Sequence, residues 1–332
     1  MKYFKFLLVP ILFIVISGVH GQSPNFRLPM VNTHGLNPAL LGLGHYDEYR
    51  AARIQSGIKA QWLGINKRLA SSSLSFDMAN EGNSSWGLNF LSTNYISYRQ
   101  GQTTNFNHTA LQATYAYLIT GRKVNWNFGL AIQGANYQFG NSNFIWGDQI
   151  NSDMTAFTNP TNEPVNQLSI NSFQAAVGFL VSGKNWFGGA GVYNINEPDI
   201  AFFSNSSQPL YRKFNVHAGI KLKKDFSTTS FTPTISYSQQ FKSQFWGFDA
   251  IFQNGNIFYG LGNLTSIIQD NFAHSIHTFF TVRKKSWGLG YDLDMNLTLN
   301  QGSLPLTHEF NIIYLLKSKS LRKAIFTDLP IL

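Results

Sequence analysis

The stretch Trp287-Gly288-Leu289-Gly290-Tyr291-Asp292-Leu293-Asp294-Met295-Asn296-Leu297 decides the fold. Its odd positions are all large and apolar, and its even positions are glycine, aspartate or asparagine. A period of two puts these sets on opposite faces of an extended strand. The polar face carries small or acidic groups, with none of the lysine and glutamate of an ordinary solvent face.

The same alternation recurs along the chain. Ile54, Ser56, Ile58, Ala60 and Trp62 alternate with Arg53, Gln55, Gly57, Lys59 and Gln61. Ala70, Leu74, Phe76 and Met78 oppose Ser71, Ser73, Ser75 and Asp77, and Val124, Trp126, Phe128, Leu130 and Ile132 oppose Asn125, Asn127, Gly129, Ala131 and Gln133. Further on, Phe214, Val216, Ala218, Ile220 and Leu222 oppose Lys213, Asn215, His217, Gly219 and Lys221. About fourteen such strands follow one another from 53–63 to 306–316, among them 85–95, 108–119 and 212–223. Most are near ten residues, the length a tilted strand needs to cross a bilayer, whereas strands of soluble sheets average five or six.

The connections alternate as well. Turns after even-numbered strands are short: Asn80 to Ser84, Thr120 to Lys123, Ser182 to Lys184 and Gln253 to Gly255. On the other side lie the long stretches 96–107, 138–167 and 195–211, although the turn near Gln240–Lys242 is short. Outer-membrane barrels have this asymmetry, with short periplasmic turns and long outer loops. The fold expected is therefore all-β, a transmembrane antiparallel β-barrel of about 14 strands. A sheet crossing lipid has to close, because an open edge leaves backbone groups without partners in hydrocarbon.

Composition agrees. Only 12% of the 332 residues are charged and 15% are aromatic, and the net charge is +9. An average soluble domain carries about 25% charged residues. There is no cysteine, which excludes disulfide scaffolds, thiolate metal sites and cysteine nucleophiles. At the N-terminus, Lys2 and Lys5 precede the apolar run Phe6 to Ile16 and the small-residue site Val19-His20-Gly21. That pattern is a secretory signal peptide over 1–21, too short to span a bilayer as a helix. The organisation expected is 1–21 signal peptide, 22–52 periplasmic or plug segment, 53–316 outer-membrane barrel and 317–332 basic periplasmic tail, with both termini of the mature chain in the periplasm.

No residue set points to an enzyme. Asp292-Leu293-Asp294-Met295-Asn296 superficially opens a calcium loop but lacks its glycine and terminal glutamate, and lies in a strand. Pairing of these aspartates with Arg283, Lys59 or Arg53 is expected instead, and closure of first strand on last brings Glu309 within reach of Arg53 or Lys59. His217 and His277 face the lumen without a serine and aspartate spaced for a triad. No phosphate loop, zinc motif or nucleotide fingerprint is present, so no metal and no cofactor are expected. The positive charge is dispersed, which argues against nucleic acid.

Some stretches are not explained by alternation. They are Leu36-Asn37-Pro38-Ala39-Leu40-Leu41-Gly42 before the first strand, Gln61-Trp62-Leu63-Gly64-Ile65 at its end, Ser73-Leu74-Ser75-Phe76-Asp77 in the second, and Trp146-Gly147-Asp148-Gln149-Ile150 in the longest outer loop. In this order they resemble the PorP/SprF family of outer-membrane proteins of the Bacteroidetes type IX secretion system. The resemblance implies a role in delivering or retaining large surface proteins, gliding adhesins included. It also implies as partners a type IX secreted surface protein or its C-terminal domain and periplasmic secretion components, in a protein embedded in outer-membrane lipid.

The residues have a physical reading of their own. Asn37-Pro38 sets extended or turn geometry before a short apolar run. It suits either a plug made by Leu36, Asn37, Pro38, Ala39 and Gly42 in the periplasmic mouth or a lead-in that caps the first strand. Phe144, Ile145 and Trp146 are apolar groups placed outside the cell, which either fold over the barrel mouth or meet a partner, with Gly147, Asp148 and Gln149 beside them for hydrogen bonding. Two functions from different classes follow: a barrel that receives or anchors a secreted surface protein, and a porin or hydrophobic-solute channel. A membrane-embedded hydrolase is a third.

Overall fold

The computed structural model describes residues 33–43, 50–63, 67–80, 83–99, 102–139, 169–202, 207–223, 227–268, 271–284, 286–298 and 305–317. The expected signal peptide, the loop residues Phe144 to Gln149 and the tail after Lys317 lie outside them.

The strands are β1 (Arg50–Leu63), β2 (Lys67–Ala79), β3 (Ser84–Arg99), β4 (Gln102–Thr120), β5 (Asn125–Phe139), β6 (Ser169–Ser182) and β7 (Trp186–Tyr193). Next come β8 (Lys213–Ile220, resuming as Leu222–Lys223), β9 (Thr229–Gln240), β10 (Ser243–Asn254), β11 (Ile257–Ile268), β12 (Asn271–Lys284), β13 (Trp287–Asn296) and β14 (Leu306–Lys317). The sheet holds fifteen hydrogen-bonded stretches, two of which form the one strand β8, so fourteen strands go round the wall. Every neighbouring pair is antiparallel, and β1 pairs with β14 through Ile54↔Tyr314 to Ala60↔His308, closing the barrel.

The period-two pattern is inverted relative to a soluble protein. Ile58, Leu111, Leu130, Ile132, Leu261 and Ile312 point outward and are exposed, while Arg53, Gln55, Asp77, Asn127, Asp292 and Glu309 are buried inside. Such an inversion is stable only where the outer face meets hydrocarbon. Trp86, Trp126, Trp186 and Trp287 are exposed within the first three residues of β3, β5, β7 and β13. They form one ring at the end with short turns, the level at which indole rings anchor a barrel in the lipid headgroups.

Three local features differ from the sequence reading. The expected loop 96–107 is instead the top of a hairpin, with β3 running to Arg99, β4 restarting at Gln102 and Tyr98↔Thr103 still paired. Between Tyr98 and Phe106 the run Arg99 to Asn105 holds no large apolar residue, so pairing continues where the periodic signal fades. Trp62, expected to face out with Ile58, is buried: the register shifts between Ala60 and Leu63, and Trp62 turns in at φ 62° against Tyr95, ring centroids 6.3 Å apart. A bulge reverses the facing of whatever follows it. The first strand also begins at Arg50 rather than 53.

Candidate functional site

The first described residues sit inside the barrel. Thr33–Leu36 make one helical turn and Pro38–Leu40 a turn of 3-10 helix. Asn37 is held extended by the proline that follows and accepts the Ala39 N–H at 2.9 Å on its side chain. This is an N-cap, and Pro38 at the first helical position has no N–H to leave unpaired.

The wall beneath is built to receive this backbone. Ala116, Gly129, Gly178, Gly191 and Asn215 are register partners across β4, β5, β6, β7 and β8. A Cβ at Gly129 would lie 2.2 Å from the Pro38 carbonyl carbon, and one at Gly178 2.0 Å from the Asn37 Oδ1. The smallness of the row is thus a contact requirement. Gly42 closes the segment at φ 72°, where only glycine fits without strain, and an added Cβ would overlap Ser85 Oγ at 1.9 Å.

Polar groups then fix it from both sides. The fully buried Asn37 donates to Phe179 O at 2.9 Å and lies 3.1 Å from His217 Nε2. Asn127 donates to Ala39 O, Asn215 to Leu36 O at 3.0 Å, and Tyr193 Oη and Gln112 to His34 O at 2.7 and 3.2 Å. Leu36, Ala39, Leu40 and Leu43 pack with Leu118, Leu180 and Phe187. His34 is completely buried beside Thr114. Burial lowers its pKa to about 4, with Asp77 pulling it up and Arg53 pushing it down.

The lumen face of the remaining strands carries the charges, with the Arg53–Asp77 pair beside the segment near His34 and Leu41. Arg53 holds Asp77 with a two-pronged contact of 2.9 and 3.0 Å, and Lys59 stands 3.8 Å from Glu309 across the β1–β14 seam, as expected from closure. Asp292 is 2.6 Å from His277 Nδ1, a pairing that sequence reasoning missed, and the other ring nitrogen faces Asp249 at 2.8 Å. With both nitrogens of His277 held by carboxylates, the ring ties β10, β12 and β13 together. Below this layer Ile251, Phe258, Phe279, Ile313 and Leu315 form a buried cluster.

At the outer end, the connection from β7 to β8 folds back. Ile200, Phe202 and Leu210 pack on Phe106, Ala110, Ala135 and Tyr137, with Phe139 and Phe202 rings 4.4 Å apart. Asp199 staples this connection by accepting the N–H groups of Ala201 and Gln208 at 2.9 Å each, which hold its carboxyl below the usual range. The plug residues singled out in the sequence are thus gathered on one wall. The glycine row that receives them was visible as small residues on polar faces, but its partner was not.

A closed fourteen-stranded sheet with an apolar exterior, an indole ring at one end and a polar, buried interior defines an integral outer-membrane β-barrel. The family model described as type IX secretion system membrane protein PorP/SprF matches residues 19–314, and the chain belongs to that family. Among solved structures it is similar to a deletion mutant of the TodX monoaromatic hydrocarbon channel, with a TM-score of 0.55 and 6% identity over 86% of this chain and 93% of that one. The CymD monoaromatic hydrocarbon channel matches at TM-score 0.49 and 9% identity, covering 87% and 99%. Omp33 of Acinetobacter baumannii matches at 0.45 and 6%, covering 82% and 100%. At such identities only the fold is shared. No curated protein matches the sequence at a significant level.

Proposed function

We propose that this type IX secretion barrel is a plugged, non-enzymatic receiver that holds a secreted surface protein, such as a gliding adhesin, at the outer membrane. The observation that carries the reading is the segment His34 to Gly42, whose backbone is fitted to the glycine row and which is tied by hydrogen bonds to five different strands. A lumen occupied in this way, with buried ion pairs along the rest of its wall, is suited to support rather than permeation. Folded secreted chains then have the outer end as their landing surface, and the residues proposed for contact are Phe144, Ile145, Trp146, Gly147, Asp148 and Gln149. Periplasmic secretion components would meet the short-turn end and the basic tail.

The test is a mild-detergent purification of the tagged protein from native outer membranes, with and without cross-linking, and identification of the chains that come with it. A large surface protein or type IX components in stoichiometric amount supports the reading. The transport alternative draws on the fold likeness to a hydrocarbon channel. It gains if the barrel emerges alone and gives conductance steps or apolar-solute uptake.

A further inference from the structure

The outer rim carries a second feature that the lumen does not use. Tyr211 and Phe241 stack with ring centroids 4.3 Å apart and planes 11° from parallel, and both are exposed, at 39% and 54%. Phe241 stands in the turn between β9 and β10 at φ 51°. A bulky residue in the left-handed region is a strained choice for a turn, and such strain persists where the side chain has a use. The pair is held in place: Gln240 donates to Tyr211 O at 3.0 Å, Asn194 to the same oxygen at 3.3 Å, and Gln239 to Phe241 O at 3.4 Å.

Two cations flank the rings. Lys242 Nζ lies 5.7 Å from the Phe241 ring centroid, and Arg212 adjoins Tyr211 in sequence. Arg212 is half exposed and sits 3.6 Å from Glu197, an exposed pair that contributes little and leaves the guanidinium able to share a second anion. Just below, the register partners Tyr237 and Trp246 pack at 4.4 Å on the outward face of β9 and β10, marking the aromatic level of the outer leaflet. Elsewhere the rim is different. The outer ends of β3 to β6 present Asn94, Asn105, Asn107, Asn136 and Asn171 bonded among themselves, with no lysine or arginine among the side chains described there.

We propose that the Tyr211–Phe241 platform, with Lys242 and Arg212, binds the phosphorylated sugar headgroup of an outer-leaflet glycolipid. Sugar C–H groups lie on the exposed ring face, and a phosphate meets the ammonium and guanidinium through charge-assisted hydrogen bonds. The position immediately above the Tyr237–Trp246 level puts the site at headgroup depth. Binding there would fix the barrel's rotation relative to the leaflet and orient the outer mouth. This inference is independent of what the barrel receives.

The probe is purified diphosphorylated lipid A added to the detergent-solubilised full chain, with bound molecules counted by native mass spectrometry. Phe241→Gly removes the ring and relieves the turn, and Lys242→Gln removes one cation. Each should weaken binding about tenfold, the loss of one stacking or charged contact, while Asn136→Ala on the opposite rim leaves it unchanged. Tyr211→Leu serves as a second probe of the platform, and heat-modifiable migration in gels checks that each variant folds. Wild-type affinity in Phe241→Gly and Tyr211→Leu overturns the proposal. So does equal binding of phosphatidylglycerol, which would reduce the site to a patch of positive charge, or full displacement by inorganic phosphate, which would make it a free-anion site.

Discussion

Gly129→Ala is the sharpest test of the seated N-terminal segment. The added methyl would lie 2.2 Å from the Pro38 carbonyl carbon and 2.3 Å from the Ala39 nitrogen, both backbone atoms with no rotamer to change. Ordinary contact begins near 3.4 Å, so the segment has to retreat by about 1.2 Å. A shift of that size away from β5 takes the 2.9 Å bond from Asn37 to Phe179 and the 3.0 Å bond from Asn215 to Leu36 beyond hydrogen-bond range. Two such bonds at about 1 kcal/mol each, or an overpacking cost of about 1–3 kcal/mol, give the same figure of roughly 2 kcal/mol. That is about a thirtyfold rise in the unseated population. The natural chain has no cysteine, so a thiol introduced by Leu36→Cys reports the segment alone. In planar bilayers the wild-type barrel should be closed and Gly129→Ala should open intermittently, with labelling of position 36 faster by a similar factor. Gly134→Ala on the same strand, where an added Cβ meets nothing within 4 Å, should match wild type. A Gly129→Ala barrel as closed and as slowly labelled as its parent would refute the reasoning.

Three further outcomes are expected. His34 has a pKa of about 4 when seated and 6.5 as its ordinary value, so an unseated segment binds the extra proton. Seating is therefore complete above pH 6.5 and weakens as pH falls towards 4, by up to about 3 kcal/mol, and labelling of Leu36→Cys, divided by that of a free thiol at the same pH, should rise at pH 5 but not when His34→Gln is added. Asp77→Asn leaves Arg53 buried without its counter-charge and should destabilise the barrel by about 3–5 kcal/mol, with Arg53→Met/Asp77→Leu recovering most of it in thermal unfolding. Trp146→Ala should reduce capture of the surface partner in the pull-down without altering barrel assembly, and undiminished capture would remove that loop from the contact surface.

Alternation made the strands legible because each side chain on a membrane barrel answers to one of two very different surroundings. Ile54, Ile58 and Phe310 face hydrocarbon, and Arg53, Lys59 and Glu309 face the lumen, so period and closure followed from the residues themselves. Where the contrast between faces fades, so did the signal. Ile96 to Asn107 looked like a loop and is a hairpin top, and the bulge that turns Trp62 inward has no mark in composition. The lumen contacts were legible only in part. Lys59 with Glu309 followed from the meeting of first and last strands, whereas Asp249, His277 and Asp292 come together through registers that no single strand records.

The sequence by itself determined the class of fold, the number of strands, the family and the segment Leu36 to Gly42 as an element apart, because these depend on local periodicity and on contiguous motifs. Only the tertiary structure decided where that segment rests. Gly129, Gly178 and Gly191 stand 49 and 13 positions apart in the chain and become one smooth surface only when β5, β6 and β7 pair in register, and it is that surface which lets the backbone around Pro38 approach closely enough for Asn37, Asn127 and Asn215 to hold it.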